Sequence, residues 1–368
     1  MSRLKIFSVV GVRPQFVKAA IVSQALGGRE GVAHHVIHTG QHYDFGMSDV
    51  FFQELNIPSP TFNLGINSAL HGAMTGRMLE ALESLYQAEV PDVVVVYGDT
   101  NSTLAGALAT AKLHIPLAHV EAGLRSFNRM PEEINRVLTD HVTDLHFSVT
   151  DVSTGNLARE GIAGPNVHQV GDVMYDCALR SAEITERRSD ALEKFSVAAD
   201  GFVLCTVHRA SNTDDVERLG CLLEGLGLLS RSLPVVLPLH PRARARMAQA
   251  GLTNAFPDLK LVEPIGYLDM VRLERAAALI VTDSGGVQRE AFFHKVPCVT
   301  FREETEWTEL VTSGWNTLAP LDSPSEFAKL CLGRIGTVGL SVEPYGTGNA
   351  GVLIADRLLE VPNIRFHR

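Results

Sequence analysis

Residues 92–97 read Asp-Val-Val-Val-Val-Tyr, an apolar run in which polar and apolar side chains do not alternate. A run of this kind is typical of a strand that is buried on both faces, as in the middle of a parallel sheet. Helix-like stretches, of which 73–87 and 102–113 are examples, lie between this run and its neighbours. The neighbouring β-rich runs span 5–10, 33–38, 116–120, 145–149 and 167–170. Strand and helix in alternation predict a doubly wound α/β sheet.

The strand–helix pattern weakens between residues 171 and 200, where 181–194 is rich in polar and charged side chains. It then begins again, with β-rich runs at 202–206, 235–238, 259–262, 278–282 and 297–301. We therefore predict two Rossmann-like α/β domains, spanning residues 1–170 and 171–355. Two open sheets that face each other leave a cleft at the carboxyl ends of their strands, where ligands bind in such folds.

The composition excludes several classes of protein. A length of 368 residues fits two domains of about 150 residues each. The 32 lysines and arginines stand against 42 aspartates and glutamates, which gives a formal net charge of −10. This acidic balance argues against a nucleic-acid partner, because nucleic-acid binding requires a basic face. A small anionic ligand needs only a few local cations and remains compatible with the charge.

Cysteine usage and hydropathy indicate where the protein works. The five cysteines are scattered and form no C-x-x-C motif, which favours a reducing compartment over a disulfide framework or a zinc site. The first apolar run ends at Gly11 without a cleavage site, and no apolar stretch reaches the roughly 18 residues of a membrane span. We expect a soluble, cytoplasmic protein with no membrane partner.

The segment Asp283-Ser-Gly-Gly-Val-Gln-Arg-Glu290 follows a β-rich run directly and leads into a predicted helix. Ser284, Gly285 and Gly286 would place backbone N–H groups and a hydroxyl at the helix N-terminus, an arrangement that binds phosphate or diphosphate. Glu290 lies farther along the helix, where its carboxylate could accept hydrogen bonds from ribose hydroxyls. The alternative is a capped helix with a tight turn.

A similar turn follows the first strand, where residues 11–18 read Gly-Val-Arg-Pro-Gln-Phe-Val-Lys. Pro14 is typical of a helix start. Arg13 and Lys18 bring two cations near that helix N-terminus, where they oppose the helix dipole, so an anionic ligand explains them better than solubility does. Two phosphate-compatible turns, one in each predicted domain, indicate a diphosphate ligand.

A third glycine-rich segment, Gly346-Thr-Gly-Asn-Ala-Gly351, matches the G-x-G-x-x-G pattern of dinucleotide-binding sites. No clear strand precedes it, and the chain ends at Arg368, before the acidic residue that the motif requires about 20 positions later. We interpret it as a turn that opens the last helix, and we expect no nicotinamide cofactor.

Carboxylates cluster where neighbouring strands end. Asp99 follows the buried run directly, Glu121 lies at the equivalent end of the next strand, and Glu132, Glu133 and Arg136 open the helix after Pro131. Several carboxylates at one cleft mouth raise each other's pKa, which suits general acid–base catalysis. An acidic residue at a helix N-terminus also stabilises the helix, so Glu132 or Glu133 could be structural.

The histidines divide into two groups. His208 follows a strand of the second domain and could, when protonated, stabilise charge on a leaving phosphate, whereas His240 in a similar turn is read as structural. The cluster His34, His35, His38 and His42 lacks a cysteine or carboxylate to complete a metal site. We expect no metal.

Together these segments resemble the non-hydrolysing UDP-N-acetylglucosamine 2-epimerases over nearly the whole chain and in the right order. The matching segments are 11–18, Thr39-Gly-Gln-His42, Gly98-Asp-Thr100, His119-Val-Glu-Ala-Gly-Leu-Arg125, Pro131-Glu-Glu-Ile-Asn-Arg136, Thr206-Val-His-Arg209, Asp283-Ser-Gly-Gly286 and Pro344-Tyr-Gly-Thr-Gly348. The resemblance implies a fold of the glycosyltransferase-B type, with UDP held mainly by the second domain. It also implies that a tail helix, 356–368, crosses back to the first domain.

The resemblance assigns roles to individual positions. Asp99, Glu121 and Glu132 become the acid–base carboxylates, supported by Arg136. Three cations would act around the diphosphate: Arg13, Lys18 and His208. Phosphate binding would fall to Ser284, Gly285 and Gly286, and ribose binding to Glu290.

The implied reaction is elimination of UDP with loss of the C2 proton, followed by reprotonation on the opposite face and re-addition of UDP. UDP-N-acetylglucosamine would thus become UDP-N-acetylmannosamine without a cofactor. The resemblance also implies a homodimer that serves polysaccharide biosynthesis.

The chain departs from the pattern of well-known members at four places. Gln15 stands where many members have Glu, and Ala-Ser-Asn212 stands where they have Arg and Glu. Trp307 stands where they have Arg, and His240 is followed by Pro-Arg instead of Asn-Pro. These departures leave open a modified UDP-sugar, such as a 6-deoxy or a diacetamido-uronic acid nucleotide, and regulation by substrate. Other open alternatives are a hydrolysing 2-epimerase, a UDP-sugar-dependent glycosyltransferase of the same fold, and a non-catalytic nucleotide-sugar-binding regulator.

Overall fold

The computed structural model describes residues 3–41, 59–67, 70–239, 241–252 and 255–361, without the side chains of Arg13, Ala210, Ser211, Pro241 and Arg242. Contacts between Cα atoms divide the chain into two units. Unit 1 comprises Met1–Cys177 and Glu343–Arg368, and unit 2 comprises Ala178–Val342. The bounds read from the sequence, near residues 170 and 355, stay predictions of the domain limits.

The sheet of unit 1 contains seven parallel strands within the described residues, in the order β3-β2-β1-β4-β5-β6-β7. The strands are β1 (Leu4–Val10), β2 (Val32–His38), β3 (Phe62–Asn63), β4 (Val93–Tyr97), β5 (Leu117–Ala122), β6 (Leu145–Ser148) and β7 (Val167–Gln169). Strand β4 is the middle strand and every one of its residues is buried. The prediction from the run at 92–97 is therefore confirmed.

The helices of unit 1 begin after the strands they follow, as the alternating pattern predicts. They are α1 (Arg13–Leu26), α2 (His71–Glu89), α3 (Asn101–Lys112), α4 (Pro131–Val142), α5 (Asp151–Arg159), the start of α6 (Val173–Arg188), and α15 (Ala350–Glu360). Helix α3 is rich in small residues and packs closely on the sheet: a methyl group on Gly106 would lie 3.1 Å from Val96 Cγ1. Because α3 lies so close to the sheet, the polar turn that precedes this helix is held in place at the end of β4.

Unit 2 has a six-stranded parallel sheet in the order β10-β9-β8-β11-β12-β13. Its strands are β8 (Val203–Thr206), β9 (Val235–Pro238), β10 (Leu259–Val262), β11 (Leu279–Thr282), β12 (Cys298–Thr300) and β13 (Asn316–Leu318). Its helices are α7 (Ala191–Lys194), α8 (Ala210–Thr213), α9 (Val216–Ser230), α10 (Pro241–Gln249), α11 (Tyr267–Ala276), α12 (Gly285–Phe293), α13 (Thr308–Thr312) and α14 (Pro324–Arg334). Two parallel sheets covered by helices confirm the predicted α/β class.

The glycine-rich segment at 346–351 opens the last helix, as predicted. Gly346 and Gly348 have positive φ angles of 77° and 80°, and helix α15 starts two residues later. The carboxylate of Asp176 accepts hydrogen bonds from the backbone N–H groups of Ala350 and Gly351 at 3.1 and 2.9 Å. The negative charge that stabilises the N-terminus of α15 is therefore supplied by the side chain of Asp176.

None of the helices in the described parts of the chain is long and apolar enough to span a lipid bilayer.

Candidate functional site

Glu121 occupies a strained position at the carboxyl end of β5. Its φ angle is +74°, and the pairing of β5 with β6 shifts register between Val120 and Ala122. A residue with a side chain in this left-handed region costs about 1–3 kcal/mol, and such strain concentrates at functional sites. The bulge turns the carboxylate toward the end of the neighbouring strand β4.

The carboxylate of Glu121 forms an ion pair with the ammonium group of Lys18 on α1. Both side chains are only 7% exposed, so the pair is shielded from water. The turn after β4 lies against it: a methyl group on Gly98 would be 3.3 Å from both Glu121 Oε2 and Lys18 Nζ. Lys18, which the resemblance assigns to the diphosphate, thus contacts a candidate catalytic carboxylate.

Asp99 follows Gly98 and is held by helix α4. Its side chain, 29% exposed, forms an ion pair with Arg136, and its carbonyl oxygen accepts a hydrogen bond from Asn135 Nδ2 at 3.0 Å. Asp99 and Glu121 therefore each have a cation as partner. Charge neutralisation, more than mutual repulsion, sets the electrostatics of these two carboxylates.

The two glutamates at the start of α4 have different surroundings. Glu133 is buried, and its carboxylate accepts hydrogen bonds from the backbone N–H groups of Ser126 and Phe127 at 2.9 and 3.0 Å. It also lies 3.4 Å from Arg136 Nη1. Glu132 is exposed. Glu133 thus has the structural role that the sequence left open, and Glu132 is accessible to a ligand.

Gln15, one of the departures from the family pattern, joins two turns of unit 1. Its Oε1 atom accepts from the N–H groups of Gly11 and Val12 at 2.8 and 3.2 Å, and its Nε2 atom donates to the carbonyl oxygen of Tyr97 at 2.7 Å and to the hydroxyl of Thr103 at 2.9 Å. An amide is suited to this position because it can accept on one side and donate on the other.

In unit 2, Asp283 joins the ends of two central strands. It is fully buried, and its carboxylate accepts from the backbone N–H groups of His208 and Arg209, both at 3.0 Å, and from Asn212 Nδ2 at 2.9 Å. These three bonds bring the turn after β8 to the start of the Ser284-Gly285-Gly286 turn. The imidazole of His208 is exposed.

Ser284 caps α12 by accepting a hydrogen bond from the Val287 N–H group at 3.5 Å. Gly285 lies close to Glu306: a methyl group there would be 2.4 Å from Glu306 Oε1, so this carboxylate would have to move. Gly286 is unobstructed by backbone atoms, and Glu290 is half-buried one turn farther along. The turn leads directly into helix α12, as the sequence predicts, and has the cap that the alternative reading requires; its phosphate-binding role stays a prediction.

Trp307 stands over this turn, where well-known family members have an arginine. It is 2% exposed, and the guanidinium of Arg289 stacks on its ring at 4.1 Å from the centroid. Glu306 pairs with Arg302 at 3.1 Å. Below them Glu274 is 1% exposed, and burial, together with the charge of Glu290, raises its pKa well above the usual value.

The remaining predicted residues lie elsewhere. Arg13 begins α1, but its side chain, His42 and His240 lie outside the described residues. His34 bonds to the Ser8 hydroxyl at 2.9 Å, and His38 stacks on Phe16 with ring centroids 4.9 Å apart. Within the described residues, no group of three His, Cys, Asp or Glu side chains is arranged to hold a metal ion.

Two Rossmann-like α/β units with charged side chains at their strand ends give a fold of the glycosyltransferase-B type, and comparison with known proteins identifies the family. The family profile described as UDP-N-acetylglucosamine 2-epimerase matches residues 24–359. The UDP-2,3-diacetamido-2,3-dideoxy-D-glucuronate 2-epimerase of Pseudomonas aeruginosa is 48% identical, over 97% of this chain and 100% of that protein. The UDP-N-acetylglucosamine 2-epimerase of Methanocaldococcus jannaschii is 42% identical, over 95% and 97%.

A solved structure agrees with these relatives. The crystal structure of Methanocaldococcus jannaschii UDP-GlcNAc 2-epimerase in complex with UDP-GlcNAc and UDP superimposes with a TM-score of 0.89 and 41% identity, covering 96% of this chain and 99% of that one. The chain belongs to the UDP-N-acetylglucosamine 2-epimerase family and is an isomerase. The family and fold predicted from the sequence are thereby confirmed.

Proposed function

We propose that this protein epimerises C2 of UDP-N-acetylglucosamine to give UDP-N-acetylmannosamine through elimination and re-addition of UDP. The observation that carries the proposal is two ion-paired carboxylates, Glu121 with Lys18 and Asp99 with Arg136, at the ends of two adjacent strands. Membership of the 2-epimerase family supports the same reaction.

In the proposed reaction, one carboxylate removes the C2 proton while the bond from C1 to the UDP oxygen breaks, leaving UDP and a 2-acetamidoglucal. A carboxylic acid then protonates C2 from the opposite face, and UDP adds back to C1. The C2 proton is only weakly acidic, so proton removal and departure of UDP must be assisted together. Asp99, Glu121 and the exposed Glu132 are the three carboxyl groups available for these two proton transfers.

The cations have two proposed roles. Lys18 and Arg136 orient Glu121 and Asp99 through direct ion pairs. His208, with an exposed imidazole next to a backbone anchored by Asp283, stabilises charge on the departing diphosphate.

Unit 2 is proposed to bind the nucleotide. The N–H groups of Gly285 and Gly286, at the N-terminus of α12, and the Ser284 hydroxyl bind the diphosphate. Glu290 accepts hydrogen bonds from the ribose. Arg13 of unit 1 is proposed as an additional cation for the diphosphate.

A second candidate substrate is UDP-2,3-diacetamido-2,3-dideoxy-D-glucuronate, the sugar nucleotide in the name of the 48% identical Pseudomonas relative. Trp307 supports a changed ligand environment, because a buried indole stands where well-known family members carry an arginine. The reaction at C2 would be the same for either sugar.

The experiment is incubation of the full-length protein with each UDP-sugar separately, followed by NMR of C2 and of the UDP linkage. The proposal predicts a mixture of the two C2 epimers with UDP still attached. Formation of free sugar instead would indicate a hydrolysing 2-epimerase. Failure to convert either sugar, while UDP still binds, would refute the function.

We also propose a cytoplasmic homodimer. All five cysteines are free thiols, which fits a reducing compartment. An apolar stripe lies on and beside α4, where Phe127, Met130, Ile134 and Leu138 are 76%, 39%, 51% and 46% exposed. Light scattering should give a dimer for the wild-type protein and a monomer for an Ile134→Glu/Leu138→Glu variant; a wild-type monomer would refute the assembly.

A further inference from the structure

A fully buried histidine lies beneath the two candidate carboxylates of unit 1. His119 is in β5, two residues before Glu121, and is 0% exposed. Its Nε2 atom is 2.8 Å from the carbonyl oxygen of Gly98, and its Nδ1 atom is 2.7 Å from the Asp140 carboxylate. Both partners are acceptors, so each ring nitrogen has to donate, and an imidazole does so only when it carries two protons.

Asp140, on α4, connects this imidazolium to the rest of the site. Its carboxylate also accepts from the Gly123 N–H group at 3.1 Å and from Arg125 Nη1 at 2.8 Å. Burial alone would raise the pKa of Asp140, but the charges and hydrogen bonds of His119 and Arg125 outweigh it and hold that pKa below its usual value. Asp140 is therefore a carboxylate at neutral pH.

The charges of this buried group balance. Arg125 makes a second, two-bond contact with Glu160, at 2.7 Å from Nε and 2.6 Å from Nη2. Two further histidines lie on the network: His146 Nε2 is 2.8 Å from the backbone carbonyl oxygen of Asp140, and burial lowers the pKa of this histidine. The half-exposed His141 has its Nε2 atom 3.3 Å from Glu160 Oε2. Two cations and two anions in alternation explain how so many charges are buried together.

The network holds two turns in which the backbone adopts positive φ angles. Gly98, Glu121 and Gly123 have φ angles of +62°, +74° and +80°. His119 binds the residue before Asp99, and Asp140 binds the N–H group two residues after Glu121. Space around the second turn is closed as well, since a methyl group on Gly123 would be 2.2 Å from the Ser153 carbonyl oxygen.

We propose that doubly protonated His119 and Asp140 are positioning residues of the 2-epimerase reaction, which fix the Asp99 and Glu121 turns relative to each other through Gly98 and Gly123. They touch neither substrate nor reacting atoms. The inference rests on the proposed function, because it takes Asp99 and Glu121 as the proton-transfer groups. A displacement of about 1 Å in such groups is enough to reduce turnover about 100-fold.

Two substitutions of His119 separate its two hydrogen bonds. His119→Gln places an amide near the position of Nε2 and keeps the donor to Gly98, whereas His119→Asn places it near Nδ1 and keeps only the donor to Asp140. We expect His119→Asn, which loses the bond to the Asp99 turn, to lower kcat by about 30- to 100-fold. His119→Gln loses only the bond to Asp140, which Gly123 and Arg125 still hold, so kcat should fall by no more than about 5-fold. The affinity for UDP should change less than about threefold in both, because unit 2 is proposed to bind the nucleotide.

An unchanged kcat in His119→Asn, or equal losses in the two variants, would overturn the inference. If His119→Asn does not fold, ¹⁵N-histidine NMR of the wild-type protein decides the matter: two N–H groups on His119 at pH 7 support the positioning role, and one refutes it. The His119→Gln spectrum assigns the signals. Because this NMR measurement needs no turnover, an inactive wild-type protein would refute the proposed function without being mistaken for failure of the positioning role.

Discussion

Removal of the Lys18 ammonium group tests the buried ion pair at the centre of the candidate site. In Lys18→Met a chain of similar length replaces the lysine, and Glu121, 7% exposed, loses its cation. Breaking a buried pair by removal of one partner costs about 3–5 kcal/mol, because the remaining charge stays buried without compensation. We therefore expect unit 1 to lose about 3 kcal/mol of stability and C2 exchange to fall at least about 100-fold.

The assay has to report on unit 1 alone. Both tryptophans, Trp307 and Trp315, belong to unit 2, so their fluorescence serves as the internal control. Hydrogen exchange of the amides of β4 and β5 reads the opening free energy of unit 1. Lys112→Met, which removes an exposed lysine from α3, is the matched control and should leave both readouts unchanged.

A double-mutant cycle with Glu121→Gln gives the coupling energy of the pair. With both charges removed, neither member of the Lys18–Glu121 pair is left as an unpaired buried ion. The double variant should therefore be more stable, by about 2 kcal/mol or more, than the sum of the two single effects predicts. A loss below about 1 kcal/mol in Lys18→Met, or additive effects in the cycle, would refute the shielded ion pair.

Further predictions concern three other parts of the molecule. Glu133→Ala should lower stability by about 1–3 kcal/mol, because two backbone N–H groups lose their acceptor, whereas Glu132→Gln should leave stability within about 0.5 kcal/mol and reduce turnover; urea denaturation followed by hydrogen exchange compares them. Asp283→Ala should weaken UDP binding at least about 10-fold in calorimetry, since three donors that anchor the His208 turn lose their partner, and unchanged affinity would contradict the role given to that turn. Burial, and secondly the nearby His35, lower the pKa of His34 to about 4. Because the pKa in the folded protein lies below that in the unfolded chain, the folded protein keeps its full stability above about pH 6.5 and loses stability as the pH falls toward 4. His34→Gln should remove about 2 kcal/mol of the acid-induced loss of stability, and equal pH curves for both proteins would exclude this cause.

Much of the fold can be predicted from the sequence because its central strands are continuous apolar runs. The run at 92–97 differs by one residue from the observed strand β4, and the runs at 235–238 and 259–262 coincide with strands β9 and β10. Strands β3 and β13 could not be recognised, because β3 has only two residues and β13 reads Asn-Thr-Leu, with a single apolar residue. Edge strands of this length are defined by pairing with a neighbour.

The site could be predicted less completely, because its pairings join distant parts of the chain. Lys18 and Glu121 are 103 positions apart, and the sequence assigns the lysine to a diphosphate. The sequence pattern places Asp283 within a phosphate-binding turn, although its carboxylate anchors the turn after β8. The pattern does not point to His119 or Asp140. A usable signal existed for His119, since a histidine inside a fully buried strand needs partners for its ring nitrogens.

The most direct test of the central claim is the rate at which deuterium enters C2 of the UDP-sugar in D₂O, compared among the wild-type protein, Asp99→Asn and Glu121→Gln, with UDP affinity measured on the same samples. Both carboxylates are paired with cations at adjacent strand ends, so each substitution should abolish exchange while the affinity for UDP changes little. Undiminished exchange in both variants, or a large loss of UDP affinity in both, would contradict the assignment of proton transfer to Asp99 and Glu121.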